Sequence, residues 1–430
     1  MAERVSVEQH QADVAALLAP LVDGARRRAR SEEVALADAL DRVLATDLLA
    51  PHAVPRFRNS QMDGYAVRAC DVADAAPGAP VRLPVLGEVP AGPGAVGDLA
   101  PGAAARIMTG APVPGGADAV VPVEDTATGT FVAASDAGGA RGDDAAAHHV
   151  DVLAPRAVGD FVRESGSDVG AGDVVLGAGT VLAPHHLAAA AACGVARVRV
   201  LVRPRVAVLS TGAELVAPGE EPGPGQVFDA NGPALAAAVR RAGGVVTTLA
   251  RSGDDAGAFT RALAAATADA DLVLTSGGVS QGAYEVVKDV LGGGAGGDPA
   301  AGVVFRAVAM QPGGPQGFGT VDGTPVLTFP GNPVSAQVSF VVFLRDVLEQ
   351  AAGRPRERPV GRARVVDAGV SPAGRRQLLR GVRSPDGGVR LVGGPGSHLV
   401  ASMARADVLV DVPADVTGWD AGTQMEVWEL

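Results

Sequence analysis

Between residues 203 and 350, short apolar runs alternate with helical segments, and this alternation constrains the architecture more than any other feature of the sequence. The runs 205 to 210, 245 to 250, 271 to 275, 303 to 309 and 326 to 329 read as strands. Helical spacing occupies about 233 to 242, 256 to 268, 284 to 291 and 333 to 350. Strands that are apolar at nearly every position need cover on both faces, and strands separated by helices pair in parallel. The region is expected to form an α/β domain on a parallel sheet.

The flanking text has a different grain. From 34 to 48 the apolar positions fit a helix with Ser31 as its N-cap, stopped by Pro51 and Pro55. Residues 77 to 123 are rich in Pro and Gly with short Val/Leu runs, which suits a small β domain. Residues 127 to 150 carry few large apolar side chains and read as a loop, in which His148 and His149 are surface residues rather than metal ligands. A helix is expected at about 184 to 193, and short strands between glycine-rich turns are expected after Gly353. The fold class is thus α/β and β multidomain.

Chemistry is expected where strands of the α/β region run into loops of small, hydroxyl and acidic residues: 210 to 215, 251 to 255, 275 to 282, 310 to 315 and 329 to 336. Ligands of open α/β sheets bind at the carboxyl ends of strands, and a loop entering a helix offers free N–H groups to an anion. TSGGVSQG, Thr275 to Gly282, fits such a cradle, with Gly277 and Gly278 in the turn and Ser276 and Ser280 as further donors. It matches neither a Walker A loop nor GxGxxG. Glu214, Asp254, Asp255 and Glu285 stand beside these donors, where carboxylates could hold a Mg²⁺ ion against phosphate oxygens.

Composition narrows the function. A net charge of −12 argues against a nucleic-acid surface. No apolar run reaches the ~18 residues that span a bilayer, and the acidic N-terminus is unlike a signal peptide, so the chain reads as cytoplasmic. Cys70 and Cys193 suggest neither a disulfide framework nor a zinc site. Lys288 is the only lysine, Tyr65 and Tyr284 the only tyrosines, and Asn59, Asn231 and Asn332 the only asparagines. In a chain biased to Ala, Gly, Val, Asp and Arg, rare side chains mark places where a substitute fails.

The strings FRNSQMDGYAVR (57 to 68), IMTGAPVPGGADAVVPVE (107 to 124), RESGSDVGAGDVVL (163 to 176), VAVLSTGAELV (206 to 216), GQVFDANG (225 to 232), TSGGVSQGAYEVVKD (275 to 289) and FPGNPVSA (329 to 336) together resemble the molybdopterin molybdenumtransferase family, which includes bacterial MoeA and the E domain of gephyrin. The resemblance implies an elongated domain split between 1 to 50 and 151 to 202, an inserted β domain at 51 to 150, a molybdopterin-binding-like α/β domain at 203 to 350 and a C-terminal β-barrel-like domain at 351 to 430. It implies a homodimer with shared sites. It further implies transfer of molybdenum from molybdate to adenylylated molybdopterin with Mg²⁺, releasing AMP and molybdenum cofactor.

By motif position the resemblance points to Asp63, Thr109, Asp168, Glu214 and Lys288 as catalytic, and to Asp63, Asp254 and Glu285 for the metal. Substrate contacts are expected from Ser276, Gly277, Gly278 and Ser280, from Gln311, Pro312 and Gly313, from Pro330 and Asn332, and from Arg380 and Ser402. Three departures stand out: Ala213 replaces a usual Asp, Glu285 replaces a common Asp, and QPGGP at 311 to 315 stands where many relatives read KPGKP. Two other readings fit parts of the chain. A molybdopterin adenylyltransferase would need only 203 to 350, and a non-catalytic pterin-binding paralogue or scaffold would accommodate the uncharged QPGGP loop.

Overall fold

A computed structural model describes residues 4–23, 30–130, 149–279, 286–292, 302–354 and 360–430. Its central feature is a six-stranded sheet in the order Val245–Ser252, Arg205–Thr211, Leu272–Ser276, Thr324–Phe329, Pro315–Val321, Val303–Ala307. The first four strands are parallel, as expected from the strand–helix alternation. The last two are antiparallel to their neighbours, so the sheet is mixed. Pro315–Val321 was not legible as a strand, because Gly317 and Gly319 break its apolar pattern. Those glycines are required by contact: a Cβ on Gly319 would lie 2.0 Å from the Gly302 carbonyl oxygen.

The strand Arg205–Thr211 shows why its sequence is apolar throughout. Val206 and Val208 enter one core with Leu235, Val239, Phe340 and Leu344, while Ala207 and Leu209 enter another with Phe259, Leu263 and Val287. Successive residues point to opposite faces, and both faces are covered. The N-terminal helix Val7–Val22, capped by Ser6 Oγ at 3.0 Å from Gln9 N, adds Val14 and Leu18 to the first core. His10 on this helix is 1% exposed, edge-on to Phe318 and Phe343.

The expected helix at 34 to 48 is not formed. Ser31–Ala35 is a strand paired antiparallel with Arg197–Leu201, followed by a single 3-10 turn, Leu36–Asp38. Leu44 and Val34 pack against Val198, Val200 and Leu182, so the apolar spacing that suggested a helix serves a small sheet-based core. Long-range pairing overrode local propensity.

A five-stranded sheet, Ala119–Pro122, Gly64–Val67, Ala104–Ile107, Val81–Val89, His149–Val152, carries the segment around Asp63 and Thr109. Most of the 127 to 150 loop, including His148, lies outside the described residues, while His149 begins a strand. The C-terminal sheet runs Met310–Gln311, Arg376–Arg383, Val408–Val412, Gln424–Glu429, Val360–Arg364. Its first strand therefore comes from the α/β region, and it bonds in parallel to Arg376–Gln377. No helix among the described residues is long and apolar enough to cross a membrane.

Candidate functional site

At the carboxyl ends of the parallel strands lies a cleft of about 920 Å³. Of the expected residues it gathers Glu214, Asp254, Gly277, Gly278, Gln311, Pro312, Gly313, Pro330 and Asn332. They come from five loops widely separated in sequence, which the fold brings to one edge of the sheet.

The Gly277–Gly278 turn forms the floor. Gly277 has φ +95°, and a Cβ there would sit 2.4 Å from the Thr211 carbonyl oxygen. Gly278 has φ +63° and lies under Val287, whose Cγ2 would be 2.7 Å from an added Cβ. The turn is pinned by Gly277 N donating to Phe329 O at 3.0 Å and by Thr211 Oγ1 donating to Ser276 O at 3.2 Å. Only glycine reconciles these positive φ values with such close approach. Ser276 lies beneath the floor, 1% exposed, with its hydroxyl unpartnered among the described residues. Ser280 and Glu285 lie outside the described residues.

Acidic groups line one side of the cleft. Glu214 folds over Gly212, both carboxylate oxygens lying 2.6 Å from where a Gly212 Cβ would be. Asp254 is exposed, whereas its neighbour Asp255 accepts from Ala258 N at 2.6 Å and serves as the N-cap of Ala256–Asp269. Asp229 and Asn231 were not singled out as site residues, yet both line the cleft. Asp229 is 4% exposed and accepts from Gly232 N at 2.9 Å. Asn231 Nδ2 donates to Gly331 O at 2.7 Å, tying the start of the helix Asn231–Arg241 to the PGNP loop. The rarity of asparagine was the signal that could have found Asn231.

The C-terminal domain closes the far wall with Pro395 to His398, held by Val334 N donating to Ser397 O at 3.2 Å. Arg380 and Ser402 stand behind this wall. Arg380 is 2% exposed, and its Nη2 donates to the Gly394 carbonyl. Burial lowers its pKa. Ser402 Oγ would be 2.6 Å from a Cβ on Gly393. Both residues shape the wall without lining the cleft.

Lys288 lines an adjoining cavity of about 500 Å³ that also touches Gln311 to Pro315. Asp63 and Thr109 line neither space, nor does Asp168. Asp63 and Thr109 bond to each other beside the inserted sheet, and the exposed Asp168 is held by its backbone N–H to Val54 O at 3.0 Å. One chain therefore presents two separate groups of the expected residues. Among the described residues, no three His, Cys, Asp or Glu groups come together as a metal cluster.

The cleft lining holds Glu214, Asp229 and Asp254 and, among the described residues, no Lys or Arg. A phosphate-bearing ligand in such a cleft needs a cation as well as N–H donors. Carboxylate oxygens are the hard donors that Mg²⁺ takes, so the chemistry of this lining fits that ion.

Residues 5–194 match the MoeA N-terminal region (domain I and II), residues 207–350 a probable molybdopterin binding domain, and residues 362–430 the MoeA C-terminal region (domain IV). The chain is 46% identical over 429 residues, 99% of each chain, to molybdopterin molybdenumtransferase 2 of Mycobacterium tuberculosis. It is 36% identical, over 95% of each chain, to molybdopterin molybdenumtransferase 1 of the same organism. Among solved structures it is similar to a molybdopterin biosynthesis MoeA protein from Pyrococcus horikosii, with TM-score 0.75 and 31% identity covering 99% of both chains.

Proposed function

The chain belongs to the MoeA family of molybdopterin molybdenumtransferases, transferases of molybdenum cofactor biosynthesis, and on that premise we propose that it inserts molybdenum from molybdate into adenylylated molybdopterin, releasing AMP. The observation that carries this reading is the cleft itself. A glycine turn offers backbone donors on its floor and carboxylates stand on its side, where a pyrophosphate with its cation would lie.

Glu214 and Asp254, which line the cleft, would hold Mg²⁺, and the ion would neutralise phosphate charge. The floor would orient the phosphates, and the Pro395 to His398 wall bounds the cleft on the C-terminal side. In the reaction proposed, water cleaves the phosphoanhydride and AMP leaves. The two dithiolene sulfurs take molybdenum from molybdate, one oxo group leaving as water with the two thiol protons.

The Asp63–Thr109 pair completes the site from a second copy. This reading makes the enzyme a cytoplasmic homodimer in which each α/β cleft faces the partner's inserted sheet. It is supported by the absence of Asp63 and Thr109 from the cleft lining of their own chain.

The test is an assay with purified protein, adenylylated molybdopterin, Mg²⁺ and graded molybdate. AMP release that depends on molybdate is the expected result. Pterin binding without any molybdate-dependent release would replace this reading with the non-catalytic paralogue.

A further inference from the structure

Three arginines from distant parts of the chain come together where the small sheet of Ser31–Ala35 and Arg197–Leu201 passes into the α/β sheet. Arg42 follows Asp41, which turns the chain with φ +60°. Arg42 Nη2 donates to Leu201 O at 2.9 Å and to the Glu32 carboxylate. Arg203 stands two residues after Leu201, on the connector to the strand Arg205–Thr211. Arg354 follows the helix Arg345–Ala351 and lies against Gly243, where an added Cβ would be 3.1 Å from Arg354 Nε. Val245 N donates to Pro204 O at 2.8 Å, which brings the Gly243 turn to the same connector. Arg354 closes the group: its Nη1 donates to Arg241 O at 2.9 Å and its Nη2 to Asp41 O at 3.3 Å.

This junction has more donors than acceptors. Arg42 is 9% exposed, and its Nε, like that of Arg354, is buried without a hydrogen-bond partner among the described residues. Arg203 is half-buried and forms no hydrogen bond or ion pair among the described residues. The carboxylates that act on Arg203 are those of Asp41 and Glu32; Glu32 is taken by Arg42, and Asp41 is exposed. Burial first, then the Arg42 and Arg354 charges, hold the Arg203 pKa below the ordinary arginine value, against the smaller opposing effects of Asp41 and Glu32. Repulsion among the guanidinium groups therefore exceeds what the two carboxylates relieve. Like charges kept partly out of water are costly unless a counter-charge completes them.

We propose that Arg42, Arg203 and Arg354 form a binding site for a phosphate group, which ties the Ser31–Ala35 sheet to the α/β domain. Planar guanidinium forks match phosphate oxygens, and such charge-assisted bonds are stronger than neutral ones. Three guanidinium groups against two carboxylates leave a surplus of one positive charge, which suits a single phosphate rather than a polyanion. None of the three arginines lines the cleft or the cavity beside it, so this site is separate from both. The phosphate is either the free ion or the head of a small ester.

Thermal melting and isothermal titration of the full chain test the site, in sodium phosphate and in sodium chloride of matched ionic strength. Phosphate near saturation is expected to raise the wild-type melting temperature by about 2–5 °C. Arg203→Gln removes a side chain that holds no partner among the described residues, so it is expected to fold. In chloride its melting temperature should equal or exceed that of the wild type, because repulsion is relieved; an arginine with a purely structural role would lose stability there. In phosphate the variant is expected to bind about 10- to 100-fold more weakly and to lose the rise. Arg203→Lys keeps the charge and should retain most of the phosphate effect, which provides a second measurement. Glycerol 3-phosphate separates the two sources: Arg203-dependent binding of the ester assigns the site to phosphate esters, and binding of inorganic phosphate alone assigns it to the free ion. The proposal is overturned by a wild-type melting temperature that phosphate leaves unchanged, by an equal rise in Arg203→Gln, or by a variant less stable than the wild type in chloride.

Discussion

Thr109 donates twice to a single oxygen of Asp63, from its backbone N–H at 2.7 Å and from its hydroxyl at 2.8 Å to Oδ1. These bonds, the backbone one first, hold the Asp63 carboxyl below its ordinary pKa although it is almost fully exposed. The arrangement keeps Oδ1 fixed and leaves Oδ2 available. Asp63→Asn is expected to reduce AMP release at least 100-fold with the melting temperature unchanged. Thr109→Val is expected to move the Asp63 titration up toward the usual carboxylate value, read by NMR. A wild-type rate for Asp63→Asn at saturating Mg²⁺ removes Asp63 from the site.

His10 links acidity to stability. Burial, aided by Arg306 and opposed by Asp13, pushes its pKa from 6.5 down to about 3. The unfolded chain therefore takes up a proton below pH 6.5 that the folded chain refuses. Stability is expected to be complete above pH 6.5 and to fall as pH drops from there toward 3, by about 1.4 kcal/mol per unit once the unfolded histidine is charged. Urea unfolding at pH 7 and pH 5 checks this, and a His10→Gln variant should show a shallower slope.

Gly277→Ala should damage the cleft floor. Its φ of +95° and the 2.4 Å approach to Thr211 O leave no room for a methyl group without moving the turn. A loss of about 1–2 kcal/mol in stability is expected from the backbone alone, with AMP release falling further because the N–H groups are displaced. Calorimetry and the release assay separate the two effects.

The pair Arg376–Asp411 lies between the N-terminal helix and the C-terminal sheet. Asp411 is 3% exposed and accepts from the Arg376 guanidinium and, at 3.1 Å, from Trp428 Nε1. Its hydrogen bonds hold the Arg376 pKa above the ordinary arginine value. Asp411→Ala leaves a half-buried guanidinium without its main partner, and a cost of about 3–5 kcal/mol in chemical denaturation is expected.

A carboxylate effect on metal use should be separable from folding. Asp254→Asn removes an exposed charge that makes no ion pair among the described residues, so the melting temperature should stay within about a degree or two. The Mg²⁺ concentration needed for half-maximal AMP release is expected to rise about tenfold. An unchanged Mg²⁺ requirement would leave Glu214 as the better described candidate.

What the sequence made legible was periodic or chemically rare. The four parallel strands show as apolar runs, and the loops after them show as glycine and hydroxyl clusters. What escaped depended on pairing at long range. The segment 34 to 48 has a helical spacing but is claimed by Arg197–Leu201, more than 150 residues away. Asp229 is an ordinary acidic residue in sequence and becomes a cleft residue only when Gly232 folds back onto it.

The pairing of Met310–Gln311 with Arg376–Gln377 has a practical consequence for anyone cutting this protein into pieces. By sequence the pair falls within the α/β region, but by hydrogen bonding it is the edge strand of the C-terminal sheet, and Val5 bonds on both sides of Val308 through Ala307 O and Ala309 N. A fragment ending near residue 350 would lose the strand that Gln311 leans on, and one lacking the first five residues would lose the clasp beside it. Excision at the boundaries of the polypeptide would thus sever the seam at which the two cavities meet, and an isolated α/β fragment would be a poor proxy for ligand binding by the whole chain.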